Sequence, residues 1–176
     1  MVNDEKDFDN VERIYNYGEF SLDAKPRIIV DADACPVKRE AAEIARAYGI
    51  EAIMVASYDH RLQPEDSVTV IQVERAYQSA DMYIANLLAE HDILLTQDHG
   101  LASIGLAKKA NVLSFRGYRY TLDNIDFLLD SRHTFSKLKR MKGRQGGPKP
   151  FSSADRARFC KVLTEILKAL QEQGLL

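Results

Sequence analysis

The sequence has little cysteine, no long hydrophobic run and no internal repeat. Cys35 and Cys160 lie far apart, whereas a small disulfide scaffold or a zinc ribbon needs more thiols. The four histidines, His60, His91, His99 and His133, form no close ligand pair, so a His/Cys zinc centre is not expected. Apolar runs are as short as Ile93-Leu94-Leu95, too short to cross a bilayer, and no membrane partner is expected. The opening residues, MVNDEKDFDNVE, are acidic and lead into no apolar stretch, so a secretory leader is not expected and the cytoplasm is the default location.

What remains is an ordinary globular composition. The length of 176 residues suits one domain, and 45% hydrophobic with 28% charged residues excludes disorder throughout as well as collagen-like and coiled-coil chains. Net charge is -2, but it is unevenly spread. Residues 1–23 hold seven acids and two bases, and read with their neighbours as an acidic extension over residues 1–25. A single domain is expected over 26–176. Within it, the Gly-rich stretch 131–150 carries Arg132, Lys137, Lys139, Arg140, Lys142, Arg144 and Lys149 and no acid. Such a stretch is either a solvated loop or a surface for a polyanion.

Along the chain, apolar runs rich in β-branched residues alternate with helical patterns. Strands are expected at 27–33, 51–57, 68–73, 92–97 and 111–115, with a polar loop at 59–66. Helices are expected from Pro36 to Gly49, over 80–90 behind Ser79, over 99–110, from Thr121 onward, and over 153–173 behind Ser152. That alternation predicts an α/β fold: a mainly parallel central sheet of about five strands flanked by helices, ending in C-terminal helices. The apolar side of the last helix suits either the core or a homodimer interface.

In parallel sheets, sites form beyond the carboxyl ends of the strands. Asp31 and Asp33 end the first strand two residues apart, so both side chains leave on one side. Asp98 follows the fourth strand, and Asp81 lies in the first turn of the helix behind Ser79. Each has a local alternative: Asp33 or Asp98 can cap a helix, and Asp81 suits a helix dipole. Together they form a set of hard oxygen donors of the kind that Mg²⁺ or Mn²⁺ takes. Lys38, in the first helical turn, and Arg116 and Arg119, beyond the fifth strand, are candidate phosphate contacts. Arg144 and Lys149 join them from the basic stretch. Tyr118 and Tyr120 suit base stacking or core packing, and Cys35 reads as a small buried residue.

The runs IIVDADACPVK, SADMYIANLL, LLTQDHGLA, FRGYRYTLDNI and GGPKPFS, in that order, resemble those of the bacterial YaiI/YqxD family. The domain of that family is similar to PIN-like nucleases. The resemblance implies a three-layer α/β/α fold, a Mg²⁺ or Mn²⁺ site and hydrolysis of phosphodiester bonds, with RNA placed before DNA as substrate. Asp31, Asp81 and Asp98 match the PIN-like acids, and Asp33 is an additional acid of the YaiI/YqxD motif. Many PIN-like nucleases carry a further acid, for which Glu40, Glu43 and Glu74 are unassigned candidates. Two other readings stand beside this one. A haloacid-dehalogenase-like phosphatase would use Asp31 as nucleophile, although Cys35 does not fit its motif and no clear paired-acid motif follows downstream. A non-catalytic nucleic-acid-binding protein would use the acids as caps or as a structural metal site.

Overall fold

Runs such as Ile28-Ile29-Val30 and Ala52-Ile53-Met54-Val55-Ala56 have no polar face, and strands of that kind need cover on both sides. The computed structural model, which describes residues 25–57, 68–73, 79–130 and 149–176, gives them that cover. In chain order the elements are β1 (Ile28–Asp31), α1 (Lys38–Tyr48), β2 (Ala52–Ser57), β3 (Val68–Val73), α2 (Ala80–Leu87), β4 (Ile93–Leu95), α3 (His99–Ala107), β5 (Asn111–Leu113) and β6 (Arg119–Tyr120). Helix α4, seen over residues 122–130, and α5 (Ser153–Glu172) follow. The acidic residues 1–24, the loop expected at 59–66 and the basic stretch as far as residue 148 lie outside the described residues, as does any run of α4 toward Met141.

The strands form one six-stranded sheet in the order β3-β2-β1-β4-β5-β6. All neighbours are parallel except β5 and β6. The sheet is therefore the expected mainly parallel one with an added edge strand. FRGYRYT turns back on itself instead of leaving the sheet. Gly117 N–H donates to the Ser114 carbonyl at 2.9 Å, and Ser114 N–H donates to the Tyr118 carbonyl at 2.9 Å. Gly117 has φ +77°, and a Cβ there would stand 2.6 Å from the backbone nitrogen of Phe159, so the turn admits only glycine against α5.

Alternation along the strands divides the core. Ile28, Val30, Met54 and Leu95 pack with α1 and with Phe159, Leu163, Ile166, Leu167 and Leu170 of α5. Ile29, Ile53, Val55, Leu94 and Val112 pack with Ile84 of α2, Leu101 of α3 and Ile125 of α4. Three layers result, helices over both faces of the sheet. The apolar stripe of α5 is thus core, each fully buried side chain being worth about 1.5–3 kcal/mol. Ser152 and Asp155 close a capping box at its start. At the other end of α1, Gly49 takes the left-handed cap (φ 65°) that its sequence position suggests.

β1 and β4 are separated by 65 residues of sequence yet lie side by side, with Ile28 opposite Ile93 and Val30 opposite Leu95. Their amino ends are tied by Arg27 and Asp92. The Asp92 side chain is only 2% exposed and meets Arg27 Nη2 at 2.7 Å. It also accepts the backbone N–H groups of Arg27 and Ala89, both at 2.9 Å. Arg27 in turn donates to the Leu87 carbonyl at the end of α2. Removing one partner of such a pair leaves the other charge buried. Asp92→Ala is expected to lose about 3 kcal/mol of stability, read as a lower urea midpoint at unchanged slope. A loss below about 1 kcal/mol would show that the pair is ordinary surface electrostatics.

Candidate acidic site at the carboxyl edge of the sheet

Between β1 and β4 the direction of winding reverses. α1 leaves β1 toward one face and α3 leaves β4 toward the other, so the carboxyl edge between them is the switch point at which α/β sheets place their sites. Asp31 is the last residue of β1, and its Oδ2 accepts a hydrogen bond from Thr96 Oγ1 at 2.9 Å. Thr96, fully buried just past β4, accepts the Asp98 backbone N–H at 3.0 Å through the same oxygen. One hydroxyl therefore joins the two strand ends and sets the turn that carries Asp98. Asp98 Oδ1 then accepts the N–H groups of Gly100 at 2.7 Å and Leu101 at 3.0 Å, capping α3.

Asp33 does not cap α1. The N-cap position is Val37, with no side-chain cap. Asp33 Oδ1 instead accepts the backbone N–H of Ser57 at 2.8 Å, tying the loop after β1 to the end of β2. Asp81 is exposed in the first turn of α2, which is capped by Ser79 accepting the Met82 N–H at 3.2 Å.

These acids share one electrostatic neighbourhood. Burial holds the Asp31 carboxyl above the usual range against the Thr96 hydrogen bond, and the charges of Asp81, Asp33 and Asp98 push it further up. Asp81, although solvent reaches it, is raised as well, by partial desolvation of its carboxyl and then by Asp98 and Asp33. The Tyr120 phenol is pushed up to about 12 by burial and by Asp98. Its ring is buried and meets His99 edge-on, with centroids 5.7 Å apart, which favours core packing over stacking for this tyrosine. Tyr118 is exposed and lies 4.6 Å from the guanidinium carbon of Arg158.

Carboxylate oxygens are hard donors and suit Mg²⁺ or Mn²⁺ in chemistry and charge. Among the described residues, no three His, Cys, Asp or Glu side chains are grouped closely enough to hold an ion by themselves. The unassigned acids are engaged elsewhere: Glu40 pairs with Arg156 of α5, and Glu43 with Arg39 at 2.7 Å. Glu74 lies outside the described residues.

The candidate phosphate contacts divide. Arg116 is turned toward the start of α5, where it meets Asp155 Oδ2 at 2.6 Å and donates to the Lys149 and Pro150 carbonyls. Asp155 is held below the usual carboxylate range, first by Ser152 and then by Arg116 and Arg158. Lys38 is half-buried at the start of α1, Lys149 is exposed, and exposed Arg119 donates to Asn111 at 2.8 Å. Arg144 lies outside the described residues. Cys35 is buried as expected, and its thiol is pushed up to about 12 by burial, which makes it a poor nucleophile.

Thr96, Ser57, Arg27 and Asp92 carry structural weight that no sequence motif marks. The signal available for Thr96 was a polar residue closing an apolar strand two positions before an acid.

Fold and site together define a doubly wound α/β protein with an acid-lined carboxyl edge. The chain belongs to the family described as "Uncharacterized BCR, YaiI/YqxD family", whose model matches residues 29–169. It is 39% identical to a UPF0178 protein of Enterococcus faecalis over 144 residues, 81% of this chain and 97% of that protein. It is 44% identical to one of Bacillus velezensis over 141 residues, 80% of this chain and 84% of that protein. A Listeria monocytogenes relative is 40% identical over 147 residues, covering 84% and 99%.

Asp31 has a raised folded-state value, so the folded protein binds its proton more readily than the unfolded chain does. Stability then falls as pH rises through the carboxylate range, and the cost is complete at neutral pH. Asp31→Asn keeps an acceptor for Thr96 but removes the charge. It is expected to melt at a higher temperature than wild type at pH 7, with the gap closing as pH drops below the usual carboxylate range. An equal or lower melting temperature at pH 7 would count against repulsion among these acids.

Proposed function

We propose that this protein is a PIN-like, Mg²⁺- or Mn²⁺-dependent phosphodiesterase that hydrolyses nucleic acid, RNA before DNA. The observation that carries the reading is the joining of Asp31 to the Asp98 turn through Thr96 at the carboxyl edge, with Asp33 tied to the end of the neighbouring β2 and Asp81 in the first turn of α2. The preference for RNA and the PIN-like assignment rest on the family resemblance.

In this reading Asp31 and Asp98 are direct ligands of the cation, and Asp33 and Asp81 hold it directly or through its waters. A bound divalent cation supplies charge to offset phosphate and makes water a better nucleophile. The chain supplies position. Thr96 fixes the Asp31 carboxylate relative to the Asp98 turn, and the hydrogen bonds to Gly100 and Leu101 hold Asp98 rigid. No histidine needs to serve as general base, and His99, at the start of α3, has Tyr120 as its ring neighbour. Lys38, Arg119, Arg144 and Lys149 bind the phosphate backbone, while Arg116 acts through α5.

A non-catalytic nucleic-acid-binding protein is the second reading. The observation favouring it is that Asp98 and Asp33 already serve as a helix cap and a strand tie. Cleavage of end-labelled single-stranded RNA with Mn²⁺ or Mg²⁺ separates the two. Wild type is expected to cleave, with an apparent affinity that falls as salt rises, while the Asp31→Asn/Asp98→Asn double variant stays folded and falls to background. RNA binding without cleavage under both cations would move the assignment to the second reading. An acid-stable phosphate trapped on Asp31 would move it to a phosphatase using an aspartyl nucleophile.

A further inference from the structure

The turn between β5 and β6 presents an aromatic ring that neither the acids nor the core use. Tyr118 is 57% exposed. Its backbone is nonetheless fixed: its N–H donates to the Ser114 hydroxyl and its carbonyl accepts the Ser114 N–H, both at 2.9 Å. Ser114 is itself buried, and Gly117 is pressed against α5. The Arg158 guanidinium lies over one face of the ring, 4.6 Å from its centroid. Arg158 has Nη2 3.5 Å from Asp155 Oδ1, and its Nη1 is buried without a hydrogen-bond partner among the described residues. The exposed area of Tyr118 therefore falls on the opposite face and the rim.

A scattered exposed aromatic is ordinary on a protein surface. This one belongs to a series. Phe151, just ahead of α5, has the guanidinium carbons of Arg116 and Arg156 at 5.8 Å and 5.4 Å from its ring centroid. Lys149 is exposed two residues before it. Asp155 and Glu40 are each paired with arginine, and the four cations outnumber these two acids. Rings interleaved with surplus cations match single-stranded nucleic acid, which offers base faces and phosphates in alternation. The position agrees. Thr96 N–H donates to the Leu113 carbonyl at 3.2 Å, so the turn that carries Tyr118 stands beside the end of β4, at the same edge of the sheet as Asp98.

We propose that Tyr118, backed by Arg158, is a stacking platform for a base of single-stranded nucleic acid, with Lys149 at a neighbouring phosphate. This rests on the nucleic-acid part of the reading above, and needs neither a bound cation nor cleavage. Because the turn is already fixed, little ordering of the chain accompanies binding. Every base has a face to stack, so the platform adds affinity for unpaired strands without reading their sequence. A duplex, whose base faces are covered, gains nothing from it.

The test is fluorescence anisotropy of the full chain, without divalent cations, on two labelled probes: a short oligoadenylate and an abasic strand of the same length. The expected result is a Tyr118→Ala variant that binds oligoadenylate about tenfold more weakly and binds the abasic strand as wild type does. Its salt dependence stays that of wild type, because no phosphate contact is lost, and Tyr118→Phe recovers wild-type affinity. Unchanged affinity of Tyr118→Ala for oligoadenylate would overturn the proposal while leaving nucleic-acid binding standing. An equal loss on both probes would assign the ring to holding the basic surface together and overturn it also. Binding of neither probe by wild type would overturn both this inference and the reading on which it rests.

Discussion

The pairing of β1 with β4 is the constraint on which the rest of this structure depends. Its register places Arg27 beside Asp92 at the amino end and Asp31 beside Thr96 at the carboxyl end. Slipping the register by one residue would turn Ile29 and Leu94 toward the opposite face and part both polar contacts at once. Two separate layers of core, one under α1 and α5 and one under α2, α3 and α4, hold that register from both sides.

The two ends of the pair are electrostatic opposites. At the amino end, a buried carboxylate is matched by a guanidinium and two backbone N–H groups, and the charge is compensated within the chain. At the carboxyl end, Asp31 accepts from the Thr96 hydroxyl, Asp33 from the Ser57 N–H and Asp98 from the N–H groups of Gly100 and Leu101, and the four acids lie in one neighbourhood. The carboxyls of Asp31 and Asp81 are raised first by burial and then by the neighbouring acids. An arrangement that weakens the fold at neutral pH is the sort that a bound cation would relieve, which links the stability of the molecule to the function proposed for it.

Much of the architecture was legible in the sequence because both kinds of signal were strong. Strands buried on two faces read as unbroken apolar runs, and the helices carried caps at Ser79, Asp98 and Ser152 that the structure uses. The acids Asp31 and Asp98 were legible because charge directly after an apolar strand stands out. The sixth strand was not, since two residues have no period, and its turn is set by contact with α5, which is distant in sequence. Arg116 was expected at phosphate, but a lone arginine carries no indication of its partner; Asp155, 39 residues on, decides its direction. Thr96 and Ser57 were illegible for a related reason. Thr96 acts through one buried hydroxyl and Ser57 through its backbone N–H, and neither group says in a sequence what it faces.

The 61 residues that lie between Asp31 at the end of β1 and Ile93 at the start of β4 also bear on how the molecule is assembled. β1, α1, β2 and β3 come first along the chain, and β2 can pair β1 over a short connection. β4 must then insert beside β1 across a much longer loop, a closure whose entropic cost grows with length and slows the step that completes the sheet. Until that closure, Asp31 has neither Thr96 nor the turn of Asp98 beside it. A nascent or truncated chain ending before β4 therefore holds Asp31, Asp33 and Asp81 and the tie from Asp33 to Ser57, but neither Thr96 nor Asp98, so the site is complete only once the central pairing is made.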